Sequence, residues 1–458
     1  MKTKFSILVT VLTASYLFLA CEAFVETKVP ESQLTGNQVF QNTATAEAAL
    51  SDIYARMREA GFASGNQNSA TLLIGAYADD LTFYGTNTNI QQFSNHTLLP
   101  SNTLLAGLWN NAYAQVYAAN AILEGVTASE SIPAADKERL TGEALFIRAY
   151  LHFYLVSLFG DVPYVTVTDY NQNSTITKMA SLQVWSAIIN DLLQAEALLS
   201  DDYPTGERIR ASKPVVQALL ARVYLFNSNW TEAEAYSNAV INNTAFTLET
   251  DLNLLFLKNS SSTIWALHPG VSGANTNDAK TFYFTSGPPP KSSLSAGLYD
   301  AFEIGDLRKE LWVKTVSNAN GTWYMSYKYR QQAATASSME YTIIFRLEEQ
   351  YLIRSEARAH LGNLQGSQQD LDNIRVRAGL LPTTASDQNT LLEAILKERR
   401  FEFFTEQGLR WLDLKRTGTA TSVLAPIKPN WQAYQILLPL PEKELLLNPY
   451  LLPQNAGY

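Results

Sequence analysis

Between Asp136 and Phe159 the chain runs through a segment in which Ala144, Ile147, Leu151, Tyr154, Leu155 and Leu158 recur at helical spacing, while the remaining faces are nearly as apolar. A helix that is apolar on every side cannot lie on a surface. It has to be the central buried element around which other helices pack. Gly160 ends it and Pro163 prevents its continuation. His152 and Arg148 sit inside this apolar context. The histidine reads as a satisfied core residue rather than a ligand.

Other segments supply the partners. Thr43 to Gly61 is helical, with Thr45 as the expected N-cap and Ala49, Ile53 and Met57 on one face. Leu104 to Val126, Leu182 to Leu199, Leu347 to His360 and Leu391 to Phe404 are further helices. Lys213 to Asn242 reads as a hairpin. Its first helix carries Leu220, Ala221 and Tyr224, its turn is Asn227-Ser228-Asn229, and its second helix carries Trp230, Ala233, Tyr236 and Val240. Small Ala221 and Ala233 allow close approach, in the manner of a tetratricopeptide repeat. Similar pairs lie around Asn110 to Phe159 and Tyr351 to Ala378, without a regular period. The expected fold class is mainly α, with tetratricopeptide-like hairpins packed against a loop-rich half containing minor β-strands.

That loop-rich half is Ala245 to Tyr341, where helical periodicity fades and Pro288-Pro289-Pro290 occurs. Thr263 to Leu267, Thr281 to Phe284 and Thr322 to Tyr329 read as short strands, and Trp431 to Leu437 as a closing strand. Gly61 to Pro100 is also read as a long loop, yet it carries Tyr77, Asp79, Asp80, Phe83, Tyr84 and Asn87.

The N-terminus points to export. Lys2 and Lys4 precede an apolar run from Phe5 to Ala20, close to a signal peptide's hydrophobic region and too short to span a bilayer. Ala20 directly before Cys21 gives a lipobox arrangement, with Leu19 bulkier than the usual small residue. Cys21 is thus the expected lipid-attachment site; the alternative is a plain secretory signal with an incidental cysteine. As the chain's single cysteine, Cys21 can form no intrachain disulfide, so stability must come from burial, which the 46% hydrophobic content can supply. Net charge is -9, which argues against nucleic acid and against electrostatic adhesion to anionic lipid.

Catalytic signatures are scarce. His96, His152, His268 and His360 are scattered, and none forms a His-Glu-x-x-His zinc pattern. There is no Gly-x-Ser-x-Gly elbow and no phosphate loop. A glycosidase needs only two carboxylates, and no pair stands out. Glu348-Glu349 and Glu398 to Glu406 lie in Arg-rich helices and read as ion pairs. Arg148, Arg222, Arg346 and Arg354, each in apolar helical context, read as guanidiniums that bridge helices to carboxylates or carbonyls. No cofactor or metal is expected.

In order along the chain come Gln33-Leu34-Thr35, Gly142-Glu143-Ala144-x-Phe146-x-Arg148-Ala149-Tyr150 with Gly160-Asp161-Val162-Pro163-Tyr164, Ala218 to Leu225, Arg346-Leu347-x-Glu349-x-Tyr351 to Ala357, Glu398-Arg399-Arg400-x-Glu402, Arg410-Trp411-x-Asp413-Leu414-Lys415-Arg416, and a Pro-rich tail ending at Gly457-Tyr458. With these the chain resembles the SusD/RagB lipoproteins of Bacteroidetes over almost its whole length. The resemblance implies a signal peptide (1–20), an N-terminal helical region (21–240) and a C-terminal region (241–458) that holds the ligand-facing insert. It also implies an outer-membrane lipoprotein that faces outward, binds oligosaccharide, or in some members peptide, without catalysis, and works with a SusC-like TonB-dependent transporter. The signatures look like fold determinants, so the site has to be sought elsewhere.

Tyr and Trp are plentiful (23 and 8), and such rings can stack on sugars. Two loop-rich stretches combine aromatics with polar neighbours. One has Phe83, Tyr84, Asn87 and Asn89; the other has Trp265, His268, Phe282, Tyr283, Trp323 and Tyr324. From these, Tyr84, Asn87, Tyr283 and Trp323 are the expected ligand-binding residues. The competing readings are a surface hydrolase with an unrecognised carboxylate pair and a scaffold that docks proteins through its hairpins.

Overall fold

The computed structural model describes residues 36–458. Cys21 and the Gln33-Leu34-Thr35 motif lie outside the described residues. The helical body comprises α1 (Thr43–Glu59), α2 (Ala70–Tyr77), α3 (Thr88–Ser94), α4 (Thr103–Ala128), α5 (Ala134–Phe159), α6 (Ser181–Leu198), α7 (Lys213–Phe226) and α8 (Trp230–Ile241). After an insert come α12 (Leu347–His360), α13 (Leu364–Arg377), α14 (Gln388–Phe403) and α15 (Leu409–Arg416). The insert carries α9 (Asn277–Phe282), α10 (Ala296–Ala301) and α11 (Leu307–Trp312). Among the described residues the strands are β1 (Leu81–Phe83), β2 (Thr263–Leu267), β3 (Ser292–Leu294), β4 (Val313–Asn318), β5 (Gly321–Ser326) and β6 (Thr342–Arg346).

Every residue of α5 from Gly142 to Phe159 is buried, as its all-round apolar character requires. Helices α4 and α6 flank it. The β2–β6 pair covers another side through Trp265 and Phe345, which meet Phe146 and Tyr150 edge-on at 5.1–6.5 Å. Gly160 terminates the helix at φ +79, where its N–H reaches the Val156 carbonyl. A Cβ at that position would lie 2.9 Å from Leu437, so the residue is required by both conformation and space. Helices then pack in succession: α7 against α8, α8 across the insert against α12, and α12 against α13 and α14. The mainly α architecture with side-by-side hairpins is therefore present, and the insert interrupts it between α8 and α12.

Several local expectations are corrected. Asn42, not Thr45, caps α1, and its side chain accepts from the Thr45 N–H at 3.0 Å. The Gly61 to Pro100 stretch is not one long loop, since it contains α2, β1 and α3. Helix α2 is buried all round and has no polar face to give it a period, and the asparagines that look like loop residues include the cap of α3. Thr281 to Phe284 is not a strand. Thr276 accepts from the Asp278 N–H and starts α9 there instead. Trp431 to Leu437 holds a 3-10 turn at Ala433–Ile436 in place of a closing strand.

The arginines behave as their context implies. Arg148 clasps Asp191 with two bonds of 2.7 Å, Arg222 clasps Glu349 at 2.6 and 2.8 Å, and Arg354 clasps Asp370 at 2.7 and 2.9 Å. His152 is fully buried and hydrogen-bonds the Arg148 carbonyl, and burial lowers its pKa to about 4, so it is a neutral core residue at pH 7.

The densest cluster centres on Glu402. Its carboxylate accepts from Arg308 (2.9 Å), Arg346 (2.5 Å) and Arg377 (2.6 Å), all buried. Arg346 continues to Glu406, and Lys328 donates to Glu406 and to the carbonyls of Glu402 and Phe404. Burial by itself would raise the Glu402 carboxyl, but Arg377, Arg346 and Arg308 together hold it well below the usual range. A carboxylate with a depressed folded pKa stabilises the fold fully above its unfolded value of about 4.5 and loses that contribution as pH falls through the folded value. Glu402→Gln, which leaves three guanidiniums undercompensated, is expected to destabilise the protein by roughly 3–5 kcal/mol at pH 7 in urea unfolding, and the deficit against wild type should shrink in acid. An unchanged midpoint at pH 7 would refute this role.

Candidate functional site

The two aromatic stretches are joined by one antiparallel sheet of order β1-β3-β5-β4. Leu81 pairs with Leu294, Leu294 with Tyr324, and Trp323 with Val316. Tyr84 leaves β1 with its N–H donating to the Lys291 carbonyl at 2.7 Å. Residues 284–291, including the three prolines, thus run between the end of β1 and the face of β5.

Alternation along β5 divides its aromatics. Trp323 and Met325 point to one side and form a small cluster with Phe284, against which Tyr283, Val316 and Tyr327 pack. Tyr324 points to the other side and stacks on Tyr299 with ring centroids 3.7 Å apart, while Lys309 lies 4.0 Å above Tyr299.

The four expected residues therefore differ in role. Tyr84 is open, at 42% exposure. Asn87 is exposed, and its side-chain oxygen accepts from the N–H groups of Asn89 and Ile90 to cap α3. Tyr283 is half-buried beside the indole of Trp323. Trp323 is only 7% exposed, because Gly287 lies against its six-membered ring so closely that a Cβ there would fall 1.9 Å from Cε3. The indole is a wedge under the proline segment, not an open platform. Of the other residues in these stretches, Trp265 and Phe282 are buried core, and Asn89 bonds Thr103. Asp79 and Asp80 are structural as well. Arg400 bridges both and Arg410 binds Asp79, which ties the chain before β1 to α14 and α15.

Sequence reasoning missed a groove of about 530 Å³ along the open edge of β1. Thr82, Asn95, Ser295 and Asn430 line it with hydroxyls and amides, and Arg400 and Lys428 line it as well. Lys428 donates to the carbonyls of Ala76 and Ser94, and burial lowers its pKa to about 8. The signal was present only as scattered polar residues from four distant segments. Among the described residues no group of His, Cys, Asp and Glu could hold a metal. The carboxylates at 348, 349, 398, 402 and 406 are all held in ion pairs with arginine or lysine.

A helical body of packed hairpins carrying a β-containing insert defines the SusD-like class of binding-protein fold. The laminarin-binding SusD-like protein superposes with a TM-score of 0.76 (24% identity, 91% of this chain and 100% of that one). Surface glycan-binding protein A from Bacteroides thetaiotaomicron, in complex with laminarihexaose, gives 0.77 (18% identity, 90% and 99%). SusD-like protein P2 of Formosa agariphila is 27% identical over the full length of both chains. Residues 24–225 match the family described as starch-binding associating with outer membrane, and residues 313–458 match the SusD family. The chain belongs to the SusD/RagB family.

The helix that precedes Tyr283 is anchored by a buried acid. Asp278 accepts from the hydroxyls of Thr276 (2.6 Å) and Thr342 (2.9 Å) and has no ion-pair partner among the described residues, so burial pushes it up to about 6. Because this folded value exceeds the unfolded 3.8, the folded state holds the proton more tightly and gains stability as pH falls from about 6 towards 3.8. Asp278→Asn is expected to abolish that component, of roughly 3 kcal/mol, in melts recorded from pH 7 to pH 4. A mutant with the wild-type pH profile would exclude it.

Proposed function

We propose that the protein is a surface lipoprotein that captures an oligosaccharide outside the cell without transforming it and passes it to a SusC-like TonB-dependent outer-membrane transporter. Family membership supports the outer-membrane setting, and Cys21 is the proposed point of lipid attachment. Two acyl chains or more would hold such an anchor stably. The observation that carries the binding reading is the sheet. Through β1, β3 and β5 it links the segment that carries Tyr84 and Asn87 to the segments that carry Tyr283 and Trp323, about two hundred residues away. An exposed tyrosine one residue past β1, the strand whose Leu81 and Thr82 line a groove of hydroxyls and amides, suits a sugar, whose ring face is apolar and whose rim is polar. The relatives that bind laminarin and laminarihexaose point to the same ligand class.

Within this site the residues divide the work. Tyr84 supplies the open aromatic face, Asn87 a neighbouring amide, and Trp323 with Tyr283 the rigid floor that fixes the proline segment. Preorganisation of this kind limits the ordering cost of a flexible glycan. On a glycan and peptide array, the protein is expected to bind β- or α-glucan oligosaccharides in preference to peptides. Tyr84→Ala should weaken that binding about tenfold with an unchanged melting temperature. Trp323→Ala should reduce both affinity and stability, the latter by about 3–5 kcal/mol, since it empties a packed cluster. Full affinity in Tyr84→Ala would remove the site from this sheet, and release of shortened oligosaccharides would replace capture with hydrolysis.

A further inference from the structure

The segment Arg410 to Arg416 is absorbed into ion pairs except at one position. Arg410 holds Asp79, Asp413 holds Arg399 and Arg416, and Arg416 also clasps Glu356 at 2.5 and 2.8 Å. Lys415 makes no ion pair among the described residues. Its Nζ donates to the Ser157 carbonyl at 2.5 Å, and burial lowers its pKa to about 7 without a neighbouring charge to offset the effect. An ammonium carries three donors, so this contact leaves capacity for a further acceptor.

That lysine lines a solvent-open cavity of about 380 Å³ between α5, α6, α7, α15 and the C-terminal tail, a volume suited to a single small molecule. Trp185, Phe226 and Leu437 form its apolar wall, and Trp185 and Phe226 are half-buried with centroids 6.4 Å apart. Ser157 is 5% exposed, lines the same cavity, and its buried hydroxyl has no hydrogen-bond partner. The other charged groups at the cavity already have hydrogen-bond or ion-pair partners, although Asp161 keeps its negative charge because its partner Ser181 is neutral. Asp161 accepts from the Ser181 N–H and hydroxyl, and Arg416 is neutralised by Glu356 and Asp413. A buried orphan hydroxyl and an amine without a counter-ion beside an aromatic wall form an incomplete set. What completes it is one negative group on a flat apolar body.

We propose that this cavity is a second binding site, distinct from the sheet, for a small single-ring carboxylate whose carboxyl group meets Lys415 Nζ and Ser157 Oγ while its ring lies against Trp185 and Phe226. The bound anion supplies the countercharge that Lys415 lacks, so binding draws a proton onto the amine. The carboxylate could come from an aromatic acid or from a uronic acid sugar, and separate probes distinguish the two.

Calorimetry of the full-length protein with benzoate and with glucuronate, each beside its neutral counterpart benzamide or methyl glucoside, tests the site. At least one acid is expected to bind, and whichever does identifies the source. The matched neutral compound should bind about tenfold more weakly or worse. Lys415→Met should lose at least about tenfold in affinity for the acid, whereas Tyr84→Ala should retain it, which separates this site from the glycan site. No binding of either acid at millimolar concentration, equal binding of the neutral compounds, or full affinity in Lys415→Met would overturn the proposal. If Lys415→Met does not fold, lysine-resolved NMR titration of the wild-type protein decides. The Lys415 transition should move upward from about 7 when the acid is added. An unmoved transition would overturn the proposal equally.

Discussion

A single carboxylate, Glu402, ties together what are otherwise separate parts of the chain. Arg346 reaches it from the end of β6, Arg308 from α11 in the insert, and Arg377 from α13. In a buried setting each charge would be strongly unfavourable alone, and the arrangement is tolerable only because every member finds its opposite. The network therefore works as a registry device. The insert and the C-terminal hairpins can dock in one relative position, since any other leaves guanidiniums and carboxylates buried without partners. Lys328 extends the same constraint to the segment just beyond β5, donating to the backbone of α14 and its following turn.

This registry decides what the insert can present. With the segment just beyond β5 held through Lys328, the β1-β3-β5-β4 sheet is tied to the helical body, and the residues left open are those at strand ends and in the segments between them. Tyr84 is open because it lies one residue past the end of β1. Trp323 is closed because alternation along β5 turns it into the small cluster under Gly287. The Asp79 and Asp80 bridges to Arg400 and Arg410 fix the other end of the same platform. The proposed glycan site relies on a few exposed side chains held by a well-determined frame, which is an effective arrangement for a flexible ligand.

The contrast between Arg416 and Lys415 shows how much of a motif local chemistry can explain. The arginine is matched by Glu356 and Asp413 and needs nothing further. The lysine beside it has only a carbonyl and faces a cavity with an unpartnered serine. Read as sequence, both are simply basic residues at the end of a helix.

The helices were legible because their periodicity and their all-round apolar character are local properties, and α5 could not have been anything but central. The pairing role of Arg148, Arg222, Arg346 and Arg354 was legible too, since a guanidinium in apolar context must find an anion, although its partners lay 16 to 127 residues away and could not be named. Caps such as Asn42 and Asn87 were misread because the same residues serve loops and helix starts. Thr281 to Phe284 was misread as a strand because four residues cannot distinguish the end of a short helix from an extended piece, and the element there is a helix ending at Phe282. The exposure of individual aromatics and the groove beside β1 were decided only by tertiary structure, as was the cavity at Lys415. Each depends on which distant segment covers a side chain, and a sequence carries no direct record of that. The sequence by itself determined which faces must be buried and which charges must be paired; the packing of the insert on the helical body determined which rings and amines were left for a ligand.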